Sequence, residues 1–201
     1  MLKKTVSIVL SIFLLFSATA FAKTIIVSKD PSAVLFLAGS HYFNQNDFST
    51  ASNFFSKAIE FNPNFAEAYN NLGISLYKHG NAEDAIAELK NSVEIKTDYS
   101  TAYYNLALVY FEQKDFNDAI LNFEKVISID SSNANAHFDL AVSLVEMFRE
   151  KENAGEITTE DLDYLKAALE HYQTAISLNP TINHAQENKN IVQDVLDYYS
   201  S

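Results

Sequence analysis

The chain has 201 residues, 48% apolar and 20% charged, the balance of a polypeptide that buries a core. Lys and Arg total 14 against 26 Asp and Glu, with Arg149 the only arginine, so the clustered cations that nucleic-acid binding needs to displace counterions are missing. There is no cysteine, which excludes disulfides, thiolate nucleophiles, thiolate metal sites and lipid attachment at a processed cysteine, and Gly39, Gly73, Gly80 and Gly155 are too scattered for a dinucleotide or phosphate loop.

Residues 1–22 read as a secretory signal peptide. Lys3 and Lys4 precede an apolar run from Ile8 to Phe16, and Ala20-Phe21-Ala22 supplies small residues for cleavage after Ala22. Cleavage removes two lysines and takes the net charge from −12 to −14. The competing reading is an uncleaved anchor, because residues 5–22 approach the roughly 17 to 25 that a spanning helix needs. In the linker, residues 23–31, the stretch Thr24-Ile25-Ile26-Val27 is apolar enough to pack on the first helix pair or to add to a partner, and Asp30-Pro31 reads as a cap and first-turn proline.

From Ser32 the chain repeats every 34 residues. Ala38, Leu72, Leu106 and Leu140 coincide, followed by the small residues Gly39, Gly73, Ala107 and Ala141, and then by Tyr42, Leu76, Tyr110 and Leu144. In the second half Ala51, Ala85 and Ala119 match, as do Phe55, Leu89 and Phe123; Ile59, Val93 and Ile127; and Phe61, Ile95 and Ile129. Apolar residues three and four apart in each half predict two amphipathic helices per unit. Asp47, Asn81 and Asp115 stand where a polar side chain caps the second helix.

These columns resemble the tetratricopeptide repeat family, most closely in Ala66-Glu67-Ala68-Tyr69-Asn70-Asn71-Leu72-Gly73 followed by Gly80, Ala85 and Ile86. Leu35 and His137 replace the aromatic of Tyr69 and Tyr103, and Thr97 and Ser131 replace the proline of Pro63 and Pro180. The resemblance implies an all-α fold: a right-handed superhelical array of helix-turn-helix repeats, an α-solenoid, with a C-terminal capping helix. Four units are expected at 32–65, 66–99, 100–133 and 134–182.

The fourth unit recovers its second-half columns, Ala168, Tyr172, Ala175, Ile176, Leu178 and Pro180, only after 15 extra residues. The insert, about 149–163, predicts a first helix running to about Asn153, a stop at Gly155, a second helix capped by Thr158 or Thr159, and a hairpin longer by about two turns. Residues 183–201, with Ile191, Val192, Val195, Leu196 and Tyr199 at helical spacing, form the closing helix that a stacked array needs.

The resemblance also implies that the first helices line the concave side and bind a partner there. The groove candidates are Phe36, Phe43, Asn70, Asn71, Ile74, Tyr77, Tyr104, Asn105, Leu108, Phe111, Phe138 and Asp139. Asn71, Asn105 and Asp139 recur at one place in successive units, a ladder suited to the backbone of an extended peptide, with aromatic residues beside it for side chains. The cationic clamp that some members use on a terminal carboxylate is absent, since Phe36, Ser40, Thr101 and Asn105 stand at those places.

His41, His79, His137, His171 and His184 occur one per expected helix with no metal-ligand spacing, and His137 in the tyrosine column reads as a packing residue. The acids near the insert read as a solvated face. The chain is thus expected to be no enzyme, with no cofactor and no metal, exported and periplasmic or else secreted, without stable membrane insertion after cleavage. Its partner is expected to be a protein or peptide rather than nucleic acid. The rival reading is an envelope subunit that self-associates through exposed helical faces.

Overall fold

The computed structural model describes residues 30–200. The expected signal peptide and the linker before Asp30 lie outside the described residues. Among those residues the chain is helical: α1 Pro31–Asn44, α2 Phe48–Phe61, α3 Ala66–Lys78, α4 Ala82–Ile95, α5 Ser100–Glu112, α6 Phe116–Ile129, α7 Ala134–Ala154, α8 Leu162–Leu178 and α9 Ala185–Ser200. They fall into two compact units that divide between Thr97 and Asp98.

In the first unit α1 pairs with α2, α3 pairs with α4, and α2 packs on α3. Close approach is what the small residues provide. A Cβ on Gly39 would lie 2.7 Å from Phe55 Cε1, and one on Gly73 would lie 2.7 Å from Leu89 Cγ and 3.0 Å from the Ala85 carbonyl oxygen. Both larger partners, and Ala51 and Ala85 beside them, are fully buried. Burial of such side chains contributes roughly 1.5–3 kcal/mol each for the large ones, which is why the apolar columns carry the fold.

In the second unit α5 pairs with α6 and α7 with α8, while α6 packs on α7 and α8 on α9. The core columns recur in Leu106, Ala107, Ala119 and Phe123, then Leu140, Ala141, Ala168 and Tyr172, all at most 2% exposed. The last apolar column does not join the core. Phe61, Ile95 and Leu178 are exposed at 43%, 37% and 42%, because each is the final residue of its helix, where the packed face has ended.

The turns inside the first three hairpins share one device. Asn46, Gly80 and Lys114, spaced by the repeat period, all have positive φ, at 61°, 96° and 62°. The next residue's N–H reaches back to the carbonyl of Tyr42, Leu76 or Tyr110 and satisfies the helix end. Asp47 and Asp115 then cap the second helices through Thr50 N–H at 3.1 Å and Asp118 N–H at 3.3 Å. Asn81 makes no such side-chain bond, so the expected cap fails there; the acids Glu83 and Asp84 in the first turn of α4 favour that end electrostatically instead.

In the fourth hairpin the left-handed stop that the period would put at Phe148 stands at Gly155, φ 71°. Glu156 N–H and Gly155 N–H close it on the carbonyls of Lys151 and Glu152. Beyond it the hydrogen bonds run opposite to the expectation for Thr158 and Thr159. Thr158 donates from N–H and Oγ1 to Asp161 Oδ2, both at 2.8 Å, and Lys151 Nζ lies 2.8 Å from Asp161 Oδ1. A carboxylate accepts three donors where a hydroxyl cannot, and these bonds hold the Asp161 carboxyl down at about 2.

Candidate functional site

On the first-helix face of the first unit, the aromatic candidates are half-buried and engaged with the core. The Phe36 ring lies 5.5 Å from Phe55 and 4.9 Å from Phe65, and Phe43 meets Phe48 edge-on at 5.4 Å. Asn70 is only 4% exposed and donates from Nδ2 to Asn71 Oδ1 at 2.9 Å, so it supports Asn71 from behind rather than facing a ligand. Asn71, Ile74 and Tyr77 are half-exposed, with Lys78 Nζ 5.8 Å from the Tyr77 ring.

In the second unit the corresponding residues of consecutive repeats are joined. Tyr104 Oη donates to Asp139 Oδ2 at 2.5 Å, and the Tyr104 ring meets Phe123 edge-on. Burial raises the Asp139 pKa above the usual carboxylate range, with the Tyr104 hydrogen bond pulling the other way. Burial, then the bond to Asp139 and its charge, push the Tyr104 hydroxyl far above its ordinary value, so it stays a donor. Asn105 and Leu108 are half-buried, Phe111 packs edge-on against Phe116 at 5.4 Å, and Phe138 against Tyr172 at 5.7 Å. A hollow of about 140 Å³ opens beside Tyr104, lined by it with Ser100, Thr101, Asn133 and Asn135.

The face extends past the residues named from the sequence. Tyr172, its pKa raised to about 12 mainly by burial, is hydrogen-bonded to Asn188 and feels the charges of Glu146 and Asp139. Asn188 and Ile191 of α9, with Val142, Val145, Glu146 and Arg149 of α7, border a cleft over it. A signal for them exists: moving the period by the 15 inserted residues puts Asn188 in the Asn71, Asn105, Asp139 column and Ile191 in the Ile74, Leu108, Val142 column.

The histidines divide unlike the expectation of one per helix. His79 is the C-cap of α3, and His184 precedes α9 with φ 62°. His137, 7% exposed, has its Nδ1 2.9 Å from Nδ1 of His171 and its Nε2 3.3 Å from the Ser131 carbonyl oxygen. A carbonyl only accepts, so Nε2 of His137 is the donor of that pair, and with the ring neutral its Nδ1 accepts from His171. Burial first and the His137 charge second lower the His171 pKa, against a smaller opposing effect of Glu170. Among the described residues no group of three or more His, Cys, Asp or Glu is arranged to hold a metal ion.

A family model described as tetratricopeptide repeat matches residues 64–132, and one described as TPR repeat matches residues 39–80. No curated protein matches the chain. Among solved structures it is similar to the MamA protein, with 24% identity and TM-score 0.62 over 84% of this chain and 88% of that one. It is similar to YrrB, described as a TPR protein with an unusual peptide-binding site, with 19% identity and TM-score 0.62 over 85% and 80% of the two chains. The first TPR of Spaghetti (RPAP3), solved with the HSP90 peptide SRMEEVD, is 19% identical with TM-score 0.57 over 58% of this chain and 92% of that one. With helix pairs of one period inside and beyond the matched stretches, residues 39–132 are tetratricopeptide repeats and the chain has an all-α fold of the solenoid class.

Proposed function

We propose that the protein is a non-catalytic adaptor that works after export and binds an extended segment of an envelope partner on its first-helix faces. The observation that carries the reading is the Tyr104–Asp139 bond. It fixes the Tyr104 ring, which borders an open hollow, to a carboxylate of the next repeat, and Asn105, Leu108, Phe111 and Phe138 on the same two helices are half-buried. Side chains already held by packing lose little rotamer entropy when a ligand covers them, which favours binding per unit area. Asn71 and Asn105, both half-buried, put side-chain amides on this face, a chemistry suited to the backbone of an extended peptide. The similarity to YrrB and to the peptide-bound RPAP3 domain supports a peptide as the kind of ligand.

The test is affinity capture from the organism's own envelope fraction with the native chain and a Tyr104→Ala, Phe111→Ala variant. Loss of capture with helical circular dichroism retained supports the reading; undiminished capture by the variant overturns it. Export rests on Lys3, Lys4, the apolar run and Ala20-Phe21-Ala22, and no helix among the described residues is long and apolar enough to cross a membrane. The mature chain is expected to begin at Lys23, which N-terminal sequencing checks; recovery of the chain with Met1 in the membrane fraction means an anchor instead.

A further inference from the structure

The α7 and α9 helices enclose a cleft of about 340 Å³ with an apolar wall made by Val145, Phe148, Leu165, Ile191, Val192 and Val195. It adjoins a second hollow of about 170 Å³ that shares Val145, Arg149, Ile191 and Val192. Ile191 is 54% exposed in the middle of that wall. Its exposure is not a general failure of α9 to end the array. Asn190 and Gln193, on the columns that the earlier first helices pack against their second helices, are polar and exposed, and Lys189 donates to Gln173. The outer side of α9 is thus finished with polar groups while the cleft side is left apolar.

The polar groups at the rim already have partners. Arg149 Nη1 lies 2.7 Å from Glu146 Oε1, and Tyr199 Oη donates to Glu152 Oε1 at 2.7 Å. What the cleft offers an incoming group is therefore its apolar floor and a negative field. Glu146 and Glu152 outnumber Arg149 at the rim. Across residues 98–200 there are 18 Asp and Glu against 6 Lys and Arg, so this unit alone accounts for a net −12. That charge repels a second copy of the chain and any anionic surface, and it attracts cations over about 8 Å at physiological salt.

We propose, building on the partner-binding reading, that this cleft takes a cationic amphipathic segment of a partner protein, one bulky apolar side chain entering against Ile191 with Lys or Arg residues on either side. The polarity is the reverse of SRMEEVD, the acidic peptide held by the RPAP3 domain.

The test is fluorescence anisotropy of the full chain with a labelled peptide of alternating lysine and leucine, and with its glutamate counterpart. Ile191→Lys places a cation in the cleft, and Asn190→Lys places the same charge one residue away on the outer face. The lysine peptide is expected to bind, more weakly as salt is raised, and to lose about tenfold or more with Ile191→Lys but no more than about twofold with Asn190→Lys. Equal losses with the two variants, equal binding of the glutamate peptide, or no binding of the lysine peptide would overturn the proposal. Binding that falls with Tyr104→Phe but not with Ile191→Lys removes the cleft and leaves the first-helix reading standing. A dimer in sedimentation equilibrium that Ile191→Lys converts to monomer would give the cleft to a second copy, and the proposal falls.

Discussion

Tyr104 and Asp139, 35 residues apart, share a hydrogen bond that favours the ionised form of a carboxylate whose pKa burial raises. Tyr104→Phe keeps the ring against Phe123 and removes the donor, and the orphaned carboxylate should cost about 1–3 kcal/mol, read as a lower urea midpoint. Asp139→Asn keeps an acceptor for the hydroxyl, drops the charge and restores the amide found at Asn71 and Asn105, so the midpoint should hold or rise. A loss as large as that of Tyr104→Phe would mean the charge itself is needed. His171 makes a different prediction. Its folded pKa lies below the ordinary 6.5, so between the two values the unfolded chain binds more protons, and stability should fall as pH drops below about 6.5. Urea midpoints measured from about pH 7.5 to about 5.5 should decline, and His171→Gln should flatten the decline; an unaltered slope would assign it to other groups.

At the scale of the helix and its turn, two substitutions separate packing from backbone. Gly73→Ala brings a methyl against Leu89 and the immovable Ala85 carbonyl, an overpacking cost of about 1–3 kcal/mol that exceeds the gain of about 1 kcal/mol in helix propensity. Its melting temperature should fall. Lys114→Gly relieves a left-handed residue that L side chains disfavour and should raise the urea midpoint by the equivalent of about 1 kcal/mol; no change would mean the turn stores no strain. These elements were readable in the sequence because helix faces and small-residue columns depend on spacing within one hairpin. The αL positions were not singled out, since Asn46 and Lys114 carry no glycine to mark them. The Thr158 cap was misread because the Asp161 carboxylate takes the Thr158 hydroxyl as a donor, which turns that side chain away from capping the helix. At the site, the ladder positions Asn71, Asn105 and Asp139 were legible as a column. The Tyr104–Asp139 bond and the burial of Asn70 were not, because both arise only when separate helices pack.

Over the whole molecule charge is unevenly placed: residues 30–97 carry 8 acids and 4 lysines, while residues 98–200 carry the 18 and 6 already noted. Self-repulsion at that density opposes compaction and is screened by salt. Raising sodium chloride from about 20 to about 300 mM should therefore raise the melting temperature, most of all in hydrogen exchange from residues 98–200; a melting temperature that falls would contradict this. The lengthened fourth hairpin sits inside this acidic unit, and its stop is displaced from position 148 to 155. Seven residues advance a helix by about two full revolutions, short by only about 20°. The chain therefore leaves α7 in nearly the rotational phase it would have had without the extension, and α8 can return to Ala168 and Tyr172 in register. An added heptad of this kind changes how far a hairpin reaches without changing which way it faces, so length here can vary independently of packing.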